Sequence, residues 1–343
     1  MAQDVVRALE VPGHPAPAGR VVGAVRGHQR AQRLHVPVGE RLVAPADHGA
    51  VRVFGHDGPT PLVRIGVREA LPLQSPTTLA PMPPAKKRTR SYDPAKTRAA
   101  VSAQFGHVRD AVLALPPEAL DAPTRLGDWT VRDLAGHVTM ALGAVVRGLE
   151  GPEPAVRELA LLDWPSATAT GAGRIDEDVR ALDTADLPGL YARTAERFAE
   201  LVAGADGERL VPTRFGAMTL ADFLVTRTVE LVVHTDDLAA ATGTDVPYDR
   251  QALAACSRLL ADALAARAPG GAVEVRIPPY AVVQCVAGPR HTRGTPPNVV
   301  ETDPLTWIRL ATGRAAWAAE LDAARIAASG ERADLAGLLP LMG

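Results

Sequence analysis

Apolar residues recur at helical intervals in five stretches of this chain. In the first, Val101, Phe105, Val108, Val112 and Leu115 fall four, three, four and three apart, which is one face of an amphipathic helix. Asp93-Pro94 supplies an N-cap followed by a proline for the first turn, and Pro116-Pro117 supplies a stop. The second stretch carries Leu134, Val138, Leu142, Val145 and Leu149 behind Thr130, with Asp133 three residues on in the manner of a capping box. A third helix is expected over about 187–203. A fourth starts at Thr219 with Asp222 and runs to about Ala241, before Gly243, and a fifth covers about 248–267. The first four make a four-helix bundle, an architecture that commonly builds metal sites from inward side chains.

Elsewhere the pattern changes. Residues 151–185 read as irregular and loop-rich, and GERLVPTRFGAMTL as a short extended excursion between helices. After Pro269-Gly270-Gly271 the period shortens. AVEVRI, AVVQCVA and NVVETD predict short strands. Asp303-Pro304 opens a helix stopped by Gly313, and Trp317 and Leu321 mark another turn. ARIAASG predicts a strand, and ADLAGLLPLM a terminal helix. Strands and helices mixed in so short a span predict a small α+β domain. The expected division is therefore a disordered or non-native extension over 1–90, a helix bundle over 91–268 and the α+β domain over 269–343.

The first 90 residues show no sustained period and are rich in Gly, Pro, Arg and His. All four Trp and all four Tyr lie after them. Such a segment builds no core of its own, and Met82 looks like a natural beginning. Lys86 to Arg90 reads as a solvated leader, since a net charge of -2 gives no basic surface for nucleic acid. No apolar run is long enough to span a membrane. Two cysteines, Cys256 and Cys285, make no disulfide framework and fit a reducing cytoplasm. Neither has an activating base nearby in sequence, which argues against a catalytic protein thiol.

The chemistry concentrates in two helices. Glu230 and His234 stand four apart and so share a face. Leu231, Val232 and Val233 surround them, and a carboxylate in such company needs a partner. His137, in another apolar helix, is a third candidate ligand. Three protein ligands with a position left open is the pattern of catalytic rather than structural zinc. The competing reading is a pair of core histidines satisfied by hydrogen bonds. Asp237 could orient His234 from behind, though Asp236-Asp237 reads somewhat better as a solvated helix end. Arg227 could pair with Glu230 or face a substrate, and Trp129 reads as a packing residue at a helix start.

DWTVRDLAGHV followed downstream by ELVVHTDDLAAATG resembles the mycothiol-dependent maleylpyruvate isomerase family of DinB-like metal-binding helix bundles. Trp129, Thr130, His137, Glu230 and His234 occupy the motif positions, over about residues 95–245. The tail resembles a sterol-carrier-protein-like domain, with Asp303, Gly313, Ser329 and Gly330 at its landmarks. The resemblance implies a divalent ion, zinc first, held by His137, Glu230 and His234, with mycothiol as cosubstrate. It implies an enzyme that activates this thiol for isomerisation or S-transfer on a small electrophile. The alternative is a sterol-carrier-like protein that binds a lipid or other apolar molecule and keeps a structural or vestigial metal site. Arg276, Arg290, Arg293 and Arg309 are candidates for a substrate-binding arginine.

Overall fold

Each of the five expected helices is present in the computed structural model, which describes residues 90–342 apart from 171, 292, 293 and 295. The expectations for residues 1–89, Met82 and the basic run included, lie outside the described residues. Arg90, the last of that run, pairs with Asp262 at 2.8 Å.

Helix α1 (Pro94–Leu113) begins where Asp93 accepts from the Lys96 amide at 2.9 Å. It buries Val101, Phe105, Val108 and Val112 but stops two residues short of Leu115. The chain then enters a 3-10 turn at Pro117–Asp121. Helix α2 (Val131–Glu150) carries both halves of the expected capping box. The segment after it is more ordered than its pattern suggests. It holds a single turn, α3 (Trp164–Ala167), and a nine-residue helix, α4 (Ala172–Arg180). Two turns in which Val179 is the one fully buried apolar side chain among those described are too little for periodicity to register. Helix α5 (Leu187–Ala203) follows, and the expected excursion is an antiparallel pair, β1 (Leu210–Val211) and β2 (Met218–Thr219). Helix α6 (Leu220–Thr242) ends at Gly243, whose φ of 69° is the left-handed cap that glycine adopts without strain.

Helices α1 and α2 each pack against both α5 and α6, closing the four-helix bundle. Phe105, Leu134, Leu142, Tyr191, Phe198 and Leu231 are all essentially inaccessible in its core. Each such side chain contributes about 1.5–3 kcal/mol of burial. Helix α7 (Arg250–Arg267) is a joint. One side rests on α1 and α6, the other on β4 (Ala281–Cys285) and α8 (Pro304–Ala311).

The second sheet has the order β4–β3–β5–β6, with β3 at Val273–Ile277, β5 at Val299–Thr302 and β6 at Ile326–Ser329. Strand β3 runs antiparallel to β4 and parallel to β5. Its Val273, Val275 and Ile277 alternate into the core, as the period-two pattern requires. Helix α9 (Trp317–Asp322) precedes β6. The expected terminal helix is absent. Residues Ala336–Leu338 form one 3-10 turn, because Pro340 denies the segment the length an α-helix needs. The result is a DinB-like helical bundle followed by an α+β region with a sheet, and the described residues lie in one unit.

Candidate metal centre

His137 sits two turns into α2, and Glu230 and His234 lie one turn apart on α6. The packing of α2 on α6 brings their donor atoms to within 4.8 Å of one another. His137 Nε2 is 3.2 Å from His234 Nε2. Glu230 Oε2 is 3.4 Å from His234 Nε2 and 3.8 Å from His137 Nε2. Ligands bound to zinc at about 2.0–2.1 Å in a tetrahedron stand about 3.3–3.4 Å apart. The separations from His234 Nε2, 3.2 and 3.4 Å, match that edge, and the Glu230–His137 separation, at 3.8 Å, is longer than it. An imidazole pair with one intervening proton would account for the 3.2 Å contact alone, but not for the carboxylate oxygen facing both rings.

The two imidazoles are held differently. His234 Nδ1 donates to Asp237 Oδ2 at 2.9 Å, which leaves Nε2 with its lone pair toward the site. Asp237 also accepts from Arg125 Nε at 2.6 Å and Arg314 Nη2 at 3.0 Å. Asp236 beside it accepts from Arg309 Nε at 3.0 Å and pairs with Arg125 as well. Both aspartates are buried, so the reading of a solvated helix end is corrected. They stay charged because three arginines surround them, two from the C-terminal region. His137, by contrast, meets the Trp129 ring at 4.9 Å between centroids, and its buried Nδ1 has no partner among the described residues. Trp129 is fixed in turn by an indole hydrogen bond to Asp176 at 2.9 Å.

The charges follow this arrangement. Burial lowers the pKa of His137 below its ordinary value and keeps it neutral. Burial opposes a charge on His234 too, but hydrogen bonds to Asp237 and Glu230 outweigh it and raise the pKa. Burial likewise opposes the Glu230 carboxylate, and the two imidazoles with Arg227 overturn that, holding it well below the ordinary range. Arg227 is buried, with its guanidinium 4.5 Å from the Phe223 ring centroid and 3.8 Å from Glu230. Cys256 and Cys285 are both buried, and burial pushes the Cys256 thiol far up, which makes it inert.

Two cavities meet at the three candidate ligands. One, of about 620 Å³, lies within the bundle, and the other, of about 440 Å³, opens toward Arg314 and Met342 of the C-terminal region. Of the arginines named as substrate candidates, Arg276 pairs with Glu274 at 2.8 Å, and Arg290 lines a separate cleft. Arg309 is taken up by Asp236, and Arg293 lies outside the described residues. The residues that sequence reasoning missed are Arg125 and Arg314. Neither carries a local signal, since their partners lie 111 and 77 residues away.

Two histidines and a glutamate on a DinB-like helical bundle thus face a shared cleft as a candidate metal site. Family comparison gives two matches. Residues 84–239 match the mycothiol maleylpyruvate isomerase N-terminal domain, and residues 249–341 match the bacterial SCP ortholog. The two matches follow one another along the chain in the order that the motifs implied. Among solved structures, the mycothiol-dependent maleylpyruvate isomerase is similar at 15 % identity and a TM-score of 0.47, over 74 % of this chain and 97 % of that one. YfiT from Bacillus subtilis, described as having an unusual four-helix bundle topology, is similar at 18 % identity and a TM-score of 0.33. That match covers 46 % of this chain and 94 % of that one. No curated protein matches the chain.

Proposed function

We propose that this protein is a divalent-metal-dependent enzyme that activates mycothiol for isomerisation or S-transfer on a small electrophile. His137, Glu230 and His234 are its metal ligands, and zinc is the ion. The observation that carries this reading is the convergence of three donor atoms, 3.2–3.8 Å from one another, at the meeting of two cavities. A divalent ion bound there supplies positive charge that lowers the pKa of a thiol arriving at the open position.

The chain's own residues prepare that position. Asp237 keeps His234 in the tautomer whose Nε2 is free to donate. Trp129 packs on the His137 ring and supports it by shape alone. Arg227, buried beside Glu230, adds a cation that favours an incoming anion. No protein thiol takes part, since Cys256 and Cys285 are buried and line neither cavity at the centre. Among the described residues no helix is long and apolar enough to cross a membrane, and a reducing cytoplasm suits a thiol cosubstrate.

The test is metal analysis of the purified chain, followed by a screen of electrophilic acids with and without mycothiol. Stoichiometric zinc and turnover that requires mycothiol support the proposal. A chain that copurifies with a stoichiometric lipid and shows no thiol-dependent turnover is a sterol-carrier-like binding protein instead.

A further inference from the structure

The larger cavity is a trough that runs away from the candidate ligands between α2 and α6. Its α2 wall carries His137, Ala141, Ala144 and Arg147, spaced four, three and three apart and hence on one helical face. Its α6 wall carries His234, Glu230, Arg227 and Phe223, descending in the opposite chain direction. From His137 to Arg147 the helix rises about 15 Å. The near end holds Arg227, whose hydrogen bonds among the described residues go only to the Thr226 hydroxyl, at 3.0–3.1 Å. The far end holds Arg147, which is exposed and makes no ion pair among the described residues. The hairpin between β1 and β2 closes the outer side through Arg214, which pairs with Asp178 of α4.

The smaller cavity is of another kind. Trp129, Val229, Val233 and Met342 wall it, on the side of the centre that faces the C-terminal region. Besides His137, Glu230 and His234, the two cavities share only Ile175 and Phe215. A molecule in the trough and another in the slot therefore meet at the centre, beside Ile175 and Phe215.

Resting on the thiol reading above, we infer that the trough holds the body of an extended thiol cosubstrate, with Arg227 and Arg147 as its near and far anchors, and that the electrophile enters through the slot. The trough selects an extended thiol that carries oxygen acceptors, such as amide carbonyls, hydroxyls or a carboxylate, beside the sulfur and at its far end. A short thiol would reach the centre and leave Arg147 unengaged.

The experiment uses the full chain loaded with zinc and measures binding of mycothiol and of N-acetylcysteine by calorimetry. The latter carries a thiol without the extended body. Wild type should bind mycothiol at least about tenfold more tightly. Arg147→Gln should weaken mycothiol about tenfold, the loss of one charged hydrogen bond, and leave N-acetylcysteine unchanged, with Arg147→Lys in between. Ala144→Leu, which fills the trough midway, should discriminate in the same sense without touching either arginine. If mycothiol binds but neither substitution discriminates, the trough assignment is wrong and the thiol reading stands. If neither thiol binds the zinc-loaded wild type, both are overturned.

Discussion

The two walls of the candidate centre are secured by different physics. On α6, His234 is tied by a hydrogen bond to Asp237. That carboxylate is gripped by Arg125 from the loop before α2 and by Arg314 from the C-terminal region. On α2, His137 is positioned by packing against Trp129 and has no polar partner behind it. The first wall is electrostatic and directional, and it answers to pH and to the state of the distant domain. The second is a matter of shape and answers to volume. One ligand pair on α6 can therefore be preorganised while the third ligand stays free to adjust, which a centre that exchanges ligands can use.

The largest expected effect comes from removing a wall's own ligand. His234→Ala and His137→Ala should each abolish stoichiometric zinc, read by metal analysis after gel filtration. Retention of a full equivalent by either variant would show that its wall is not part of the centre. Next comes the support behind the α6 wall. Asp237→Asn should lower zinc affinity about 10–100-fold in a chelator competition, whereas Trp129→Leu, which removes an aromatic contact of about 0.5–1.5 kcal/mol, should cost no more than about tenfold. The reverse order would refute the contrast between the walls.

A third prediction concerns pH. In the metal-free protein the pKa of His234 is raised above its ordinary 6.5, while that of His137 is lowered by burial. Zinc must displace the proton from His234 but finds His137 already neutral. Affinity should therefore climb with pH through a range above 6.5 and then flatten, with a slope of about one proton per ion. Asp237→Asn should move that range back toward 6.5. Stability has the same sense at the acid end. Burial opposes the charges of Asp236 and Asp237, but their arginine partners, with His234 for Asp237, hold both below the unfolded value of 3.8. Their contribution is whole above that value and is lost as pH falls below it. Arg125→Gln should weaken it, costing about 1–3 kcal/mol in urea melts at neutral pH and less at acid pH. The smallest effect is expected at Cys256→Ala, which should leave zinc content and thiol-dependent turnover unchanged, because that thiol is buried away from both walls. Loss of turnover there would favour a protein nucleophile.

The caps and helix faces could be read directly from the chain. Asp93, Thr130, Thr219 and Asp303 each serve an amide two or three residues away, and the stripe Leu134, Val138, Leu142, Val145 repeats at intervals of four and three. Such features depend on neighbours within a single turn, so their physics is complete in the local sequence. The i,i+4 spacing of Glu230 and His234 is equally local, and the motif around His137 pointed to its partner helix. What the sequence could not contain was the company these residues keep. That Asp236 and Asp237 lie buried rather than in water was decided by Arg125, Arg309 and Arg314, brought from three other segments. Asp-Asp near a helix end has the same local pattern whether it faces solvent or arginine, and only the packing of α6 against the loop before α2 and the C-terminal region chooses. The same holds for α4, whose two turns are too short for a periodic signature, and for the trough, whose walls run in opposite directions along two helices some 90 residues apart in sequence. Charge satisfaction and cavity shape are sums over distant segments, and they exist only once the chain has folded.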